Sequence, residues 1–182
     1  IDSQILSSSL SENTIYVLTT TWAQVQWTIE LPRCSAIVSN MVDGYDTVLY
    51  SDEQLTNWMI KLTNEYGILD NVSVDGRNKL GWTDTHNMNS LWIVFEWAEN
   101  NTFNVVKVYN NAGDGIKVNN NSQQNLLNNI QAYNNVWAWI ELMWWSTHNS
   151  LANIQSYRNG TWIYMVDADR NAVSNINVYG NN

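Results

Sequence analysis

The feature that most constrains this chain is a repeat of 22 to 24 residues in its second half. Three positions of the repeat keep the same kind of residue, namely an aliphatic residue, an Asn and a Tyr. They are Val106, Ile130, Ile154 and Ile176; Asn101, Asn125, Asn149 and Asn171; and Tyr109, Tyr133, Tyr157 and Tyr179. A period of this length with short polar turns is typical of stacked coils that bury their apolar faces only against their neighbours. The repeat therefore predicts a solenoid.

Each repeat contains two short strands. The first follows a turn and alternates inward aliphatic residues with outward residues, as in Gly115-Ile116-Lys117-Val118. Counting at the same interval predicts one inward column, formed by Ile93, Ile116, Ile140 and Ile163, and a second formed by the aliphatic repeat. We predict an all-β, single-stranded, right-handed parallel β-helix of about six to seven coils with no long helix. It would form one domain over residues 1–182, or a fragment of a longer surface protein.

Net charge and apolar runs exclude some functions. Eight Lys and Arg against 17 Asp and Glu give a net charge of −9, which opposes binding to nucleic acid or to an anionic membrane surface. No apolar run approaches the length of a membrane span. The single Cys34 cannot form an internal disulfide, and we expect it to be a small buried residue. The chain begins at Ile1 without a recognisable signal, so we expect that a signal was removed or that the sequence is cut from a longer protein.

The GI-x-V and NI-x-x-Y-x-N patterns over residues 91–182 resemble those of right-handed parallel β-helix proteins of the pectin-lyase-like superfamily. The likeness is greatest to the Asn-rich coils of its NosD-type and carbohydrate-active members, and it extends more loosely over Cys34–Gly76. The resemblance implies a secreted or cell-surface protein that binds or processes polysaccharide. It leaves the activity open, because the superfamily holds lyases, hydrolases, epimerases, adhesins and inert stalks.

The outward residues of the first strands form a candidate substrate-binding face. In successive coils they are Glu30, Lys61, Val94, Lys117, Glu141 and Tyr164. Such a face is suited to an acidic polysaccharide, with Lys pairing to uronate carboxylates and Glu or Tyr transferring protons. The alternative is a solvated sheet face on which Lys117 and Glu141 pair with each other.

An insertion at Arg77–Asn89 carries the candidate catalytic residues, which are Arg77, Lys79, Asp84 and His86. We expect His86 to act as the base, with Asp84 beside it and Lys79 or Arg77 neutralising a uronate carboxylate for β-elimination or C5 epimerisation. The segment is similar to the Asp-Pro-His-Asp element of mannuronan epimerases, with Thr85 in place of the Pro and Asn87 in place of the second acid. The alternative is a polar surface loop.

Metal binding has little support in the sequence. Asp167 and Asp169 alternate in one turn and could serve Ca²⁺, but two carboxylates fall short of the six to eight oxygens this ion takes. We therefore favour solvated acids there and expect no metal or cofactor. His148 has no partner at metal-ligand spacing and is expected to be a turn residue.

Eleven Trp and only eight Gly make the composition unusual. Trp92, Trp139 and Trp162 align with Gly115 at the turn that opens the first strand. One hypothesis is that these Trp are encoded by UGA, which a few bacterial lineages translate as glycine. The alternatives are an aromatic stripe that packs against sugar rings and an oligomer interface.

A second function class remains open, a non-catalytic adhesin or stalk module in which the coils only provide length and stiffness. The last residues, Asn181 and Asn182, come one turn before another strand is due. An uncapped solenoid end is a strand edge that stacks on another surface, so we expect end-to-end stacking or further coils there.

Overall fold

The computed structural model describes residues 4–6, 10–25, 28–40, 47–50, 59–76, 93–111 and 113–181. These residues form seventeen β-strands. In chain order they are β1 (Gln4–Leu6), β2 (Ile15–Leu18), β3 (Trp22–Val25), β4 (Ile29–Leu31), β5 (Ala36–Ser39), β6 (Thr47–Tyr50), β7 (Ile60–Leu62), β8 (Ile68–Asp70), β9 (Val72–Asp75), β10 (Ile93–Glu96), β11 (Thr102–Tyr109), β12 (Ile116–Asn119), β13 (Leu126–Tyr133), β14 (Ala138–Met143), β15 (Ser150–Tyr157), β16 (Thr161–Val166) and β17 (Ala172–Tyr179).

All pairings among these strands are parallel. Strands β4, β7, β10, β12, β14 and β16 form a six-stranded sheet in that order, and the other eleven form a second sheet. Because the chain passes between the two sheets and returns beside its previous strand, every turn adds one coil. The fold is an all-β parallel β-solenoid, as predicted, although its approximately five turns are slightly fewer than the expected six to seven.

The part of the chain that the structure describes contains no helix. It accordingly has no helix long and apolar enough to cross a membrane.

Two aliphatic columns form the core at the predicted positions. Ile93, Ile116, Ile140 and Ile163 are consecutive register partners in the six-stranded sheet. In the eleven-stranded sheet, Val106 pairs with Ile130 and Ile154 pairs with Ile176. All but the last member of each column are fully buried. The alternation of inward and outward residues therefore fixes which side chains enter the core.

Residues with a left-handed backbone conformation bend the chain at the corners of each coil. One such position divides the long strands, at Asn71, Val105, Asn129, Asn153 and Asn175, with φ between 52° and 55°. A second recurs at Asn13, Cys34, Tyr66, Asn100, Gln124, His148 and Arg170, and a third at Asn110, Asn134, Arg158 and Gly180. Asn is the side chain, after Gly, that best tolerates this conformation, which explains why Asn dominates the corners.

Two residues at these corners, Cys34 and His148, were the subject of sequence predictions. Cys34 is exposed at a left-handed corner, so the expectation that it would be buried is wrong. His148 is an exposed turn residue, as expected, and its Nδ1 lies 3.2 Å from Thr147 Oγ1.

Buried Asn side chains link successive coils in two ladders. One contains Asn101, Asn125, Asn149 and Asn171, and the other contains Asn111, Asn135, Asn159 and Asn181. Asn125 Oδ1 accepts both the backbone N–H of Asn101 at 3.0 Å and its side-chain N–H at 2.9 Å. The first ladder starts at Gly67, whose N–H donates to Asn101 Oδ1 and whose Cα would place a Cβ only 2.8 Å from that oxygen. The Asn repeat is thus structural, since it satisfies polar groups inside the solenoid.

The Tyr repeat forms a stack on the outward face of the eleven-stranded sheet. The ring centroids of Tyr109, Tyr133, Tyr157 and Tyr179 lie 4.8, 4.8 and 5.0 Å apart, with interplanar angles of 2° to 7°. This spacing is the distance between neighbouring strands, so the parallel arrangement of the rings follows from the register of the coils.

Several Trp residues occupy backbone positions that favour glycine. Trp97, Trp144 and Trp145 have φ of 58°, 49° and 62°. The equivalent residues in the neighbouring coils include Asn120, Asn121 and Asp167, which are also left-handed. Trp97 and Trp145 are 63% and 73% exposed. Their placement matches a glycine position better than a packing position.

The predicted alignment of Trp139 and Trp162 with Gly115 is confirmed. Gly115, Trp139 and Trp162 are equivalent positions, because each immediately precedes an Ile of one paired column. Trp92 lies outside the described residues.

Candidate functional site

The predicted substrate-binding residues share one outward column of the six-stranded sheet. Register partners run in the order Glu30, Lys61, Val94, Lys117, Glu141 and Tyr164. Each step crosses to the next strand, about 4.8 Å away. Glu30 and Tyr164 are exposed at the two ends, whereas Val94 in the middle is fully buried. The structure therefore brings all five predicted residues onto one face of the solenoid.

The charges at the centre of this face are paired. Lys61 Nζ lies 3.0 Å from Glu96 Oε2, and Lys117 Nζ lies 2.8 Å from Glu141 Oε2. The four side chains are only 13% to 20% exposed. Pairing of Lys117 with Glu141 was the alternative reading of the sequence, and the structure shows that contact.

Asp114, which was not predicted, lies beside the Lys117–Glu141 pair. It immediately precedes Gly115 and strand β12, and its Oδ1 accepts the backbone N–H of Ala138 at 2.9 Å. Burial of the carboxyl, reinforced by the negative charge of Glu141, raises the pKa of Asp114 from its ordinary value of 3.8 to about 6. The Ala138 N–H and the positive charge of Lys117 act in the opposite direction. A carboxyl with this pKa can give or take a proton near neutral pH.

The carboxyl groups of Asp114 and Glu141 are in contact. Their side chains are within hydrogen-bond reach, and this contact contributes to the raised pKa of Asp114. Glu141 Oε2 is buried and receives no directed hydrogen bond, so its contact with Lys117 is an ion pair without hydrogen-bond geometry. The negative charge of Glu141 therefore favours the protonated form of Asp114. We call Asp114, Lys117 and Glu141 the acid–base cluster.

Aromatic rings border the acid–base cluster on one side. Lys117 Nζ lies 5.5 Å from the centroid of the Trp144 ring. Tyr164, the register partner of Glu141 in the next coil, is 45% exposed. The cluster is therefore set between charged groups in earlier coils and an accessible aromatic surface in later ones.

The predicted catalytic residues cannot be placed relative to this face. Arg77, Lys79, Asp84 and His86 lie outside the described residues, as does the insertion that contains them.

The turn considered as a calcium site, which contains Asp167 and Asp169, lies within the described residues. Asp167 and Asp169 are exposed, and Asp169 Oδ2 lies 3.3 Å from Arg170 Nε. Among the described residues, no three His, Cys, Asp or Glu side chains come together as metal ligands.

Comparison with known proteins gives a structural likeness and no sequence relative. No protein-family model and no curated protein matches the chain. The structure is similar to the crystal structure of a presumed glycosyl hydrolase from Parabacteroides merdae, with a TM-score of 0.65 and 11% sequence identity. The match covers 90% of this chain and 82% of the other. At this identity the likeness supports the shared fold.

Proposed function

We propose that this protein is a secreted or cell-surface polysaccharide-processing protein that holds a glycan on the outward face of the six-stranded sheet, beside Lys117, Glu141 and Tyr164. The observation that supports this most strongly is the acid–base cluster, in which Asp114 has a pKa of about 6 beside the carboxyl of Glu141. The structural neighbour carries a glycosyl hydrolase assignment on the same fold, which agrees with this class of substrate.

The chemistry that fits this cluster is general acid–base cleavage of a glycosidic bond. Protonated Asp114 would donate its proton to the leaving oxygen and, as the carboxylate left behind, would take a proton from the attacking water. Lys117 holds Glu141 in place through the ion pair at 2.8 Å. The two catalytic carboxyls of a glycosidase lie about 5 Å or more apart on opposite sides of the scissile bond, so Asp114 and Glu141 would both lie on the acid side, where Glu141 keeps Asp114 protonated.

A screen of soluble polysaccharides tests the proposal. Wild-type protein is incubated with neutral glucans, xylan, pectate and alginate, and new reducing ends are measured. Asp114→Asn and Glu141→Gln serve as matched variants that keep the side-chain size. We expect cleavage of at least one polysaccharide by wild type and loss of it in both variants. Products carrying an unsaturated uronate would reassign the reaction to β-elimination, and equal activity in all three proteins would refute the acid–base role.

A non-catalytic module is the second candidate, and the paired charges favour it. Because Lys61 and Lys117 already meet Glu96 and Glu141 at 3.0 and 2.8 Å, this face is electrostatically satisfied without a ligand. Under this proposal the solenoid provides length, and its end stacks on another copy or on further coils. Concentration-dependent growth in sedimentation velocity, with no cleavage of any polysaccharide, would support this candidate.

A further inference from the structure

The two Lys residues in the outward column of the six-stranded sheet are both engaged by carboxylates of the protein. Lys61 Nζ lies 3.0 Å from Glu96 Oε2, and Lys117 Nζ lies 2.8 Å from Glu141 Oε2. The two Lys side chains are only 18% and 16% exposed. The sequence suggested that these Lys would pair with uronate carboxylates, but in the folded chain they pair with Glu residues.

Lys117 is held from two directions. Its Nζ pairs with Glu141 and lies 5.5 Å from the centroid of the Trp144 ring. To reach the carboxylate of a bound sugar, this ammonium group would have to move away from Glu141, whose Oε2 is buried. Removing the cation from a largely buried carboxylate is unfavourable, because the charge left behind has no compensating partner. Lys117 is therefore poorly suited to bind a uronate.

Carboxyls outnumber ammonium groups among the described residues of this face. They are Glu30, Glu96, Asp114 and Glu141, against Lys61 and Lys117. Three ionised Glu and two Lys leave a net charge of −1, which becomes −2 when Asp114 ionises. A polymer with a carboxylate on every ring would bring more negative charge to this face, and like charges close together oppose binding.

Tyr164 gives this face an accessible aromatic ring next to the acid–base cluster. It is the register partner of Glu141 on the neighbouring strand, about 4.8 Å away, and it is 45% exposed. Aromatic rings pack on the C–H groups of a pyranose, and the Tyr hydroxyl can exchange hydrogen bonds with sugar hydroxyls. A sugar ring packed on Tyr164 would therefore lie beside the cluster.

We propose that the glycan held beside the acid–base cluster is a neutral polysaccharide rather than a polymer of uronic acids. This inference rests on the proposed function, since it takes the same face as the glycan site. The sugar would be recognised by the ring of Tyr164 and by hydrogen bonds to its hydroxyls, and neither contact needs a charged sugar. The reaction would then be hydrolysis rather than β-elimination, which needs a cation at the sugar carboxylate.

Binding of matched tetrasaccharides tests the proposal. One pair is made of mannose and mannuronate, and the other of galacturonate and its methyl ester, so that the members of a pair differ in charge. Dissociation constants are measured by isothermal titration. We expect wild type to bind at least one neutral member at least about tenfold more tightly than its charged partner, because like charges oppose binding. Glu141→Gln, which releases Lys117 from its ion pair, should reduce that preference to about threefold or less.

Two exposed Tyr residues on different sheets provide matched variants. Tyr164 is 45% exposed and Tyr179, on the eleven-stranded sheet, is 52% exposed. Tyr164→Leu should weaken binding of the neutral member about fivefold or more, since it removes the ring that packs on the sugar. Tyr179→Leu should leave the dissociation constant within about twofold. Equal losses in the two variants would overturn the proposal.

Cleavage of the same tetrasaccharides separates this inference from the proposed function. Faster cleavage of a uronate member than of its neutral partner would overturn the inference and leave the proposed function standing. Equal or tighter binding of the uronate members would overturn the inference as well. Binding of a neutral member without cleavage would refute the proposed function alone, and no binding of any of the four probes would refute both.

Discussion

The two outward faces of the solenoid differ in how they repeat. On the eleven-stranded sheet, Tyr109, Tyr133, Tyr157 and Tyr179 place the same side chain at the same position in four coils. On the six-stranded sheet, the column from Glu30 to Tyr164 changes residue at every coil. A repeated residue is explained by contact with its own copies above and below. A varied column has no such explanation, and this is where the acid–base cluster lies.

The largest expected effect concerns the varied face. Asp114→Asn should lower cleavage about 10²- to 10⁴-fold because it removes the proton donor, and Glu141→Gln should also lower it because Asp114 loses the neighbouring charge that keeps it protonated. Tyr179→Leu, on the repeated face, is the control and should leave the cleavage rate unchanged. Initial rates of reducing-end formation measure the effect. A loss in Tyr179→Leu equal to that in Asp114→Asn would remove the functional distinction between the two faces.

The buried ladders should dominate stability. Asn125→Ala removes the acceptor of two Asn101 N–H groups and the donors to Ala98 O and Asn149 Oδ1. We expect the free energy of unfolding to fall by about 3–4 kcal/mol, since buried polar groups lose their partners. Asn128→Ala is the control, because its side chain is partly exposed and should cost about 0.5 kcal/mol. Chemical denaturation measures both, and equal losses would show that the buried ladder has no special role.

The acid–base cluster should reduce stability at neutral pH. The folded-state pKa of Asp114, about 6, exceeds its unfolded value near 3.8, so the folded protein binds more protons between these values. Its contribution to stability is therefore fully present below about pH 4 and is lost as pH rises through 6. Asp114→Asn should match wild type near pH 4 and exceed it at pH 7.5 by up to roughly 3 kcal/mol. Denaturation at both pH values measures the difference, and a variant less stable than wild type at pH 7.5 would contradict it.

Replacing a left-handed Trp by Gly should change the free energy of unfolding by a smaller amount, and an exposed Trp elsewhere provides a matched control. Trp145→Gly should raise the free energy of unfolding by about 1 kcal/mol, because glycine adopts φ near 62° without strain. Trp137 is also exposed, at 54%, but is not among the residues with positive φ. Trp137→Gly should instead destabilise by about 0.5–1 kcal/mol. Destabilisation by both substitutions would contradict this account.

Codons give a direct test of the glycine hypothesis for these Trp residues. UGA is the expected result at positions 92, 139 and 162, which align with Gly115, and at positions 97 and 145. UGG at positions 97 and 145 would mean that Trp itself occupies the left-handed corners.

Alternation and period are sufficient to predict the core and the outward column. Ile93, Ile116 and Lys117 fall where a period of two within a strand and about 23 residues between strands place them. Asp114 could not be found in this way, because it lies in the turn before β12, where alternation does not apply. The available signal was an acid between Gly113 and Gly115, with Glu141 one coil later on the same face. Cys34 was misjudged since its exposure depends on a corner conformation that composition does not reveal.

Titration of Asp114 by NMR, following its carboxyl carbon in wild type and in Glu141→Gln, tests the central claim most directly. The account predicts a midpoint near pH 6 in wild type, because burial and the charge of Glu141 both oppose ionisation. In Glu141→Gln the midpoint should move down toward the ordinary value for an Asp. A midpoint near pH 4 in both proteins would show that the two carboxyls are not coupled, and it would remove the basis for acid–base chemistry on this face.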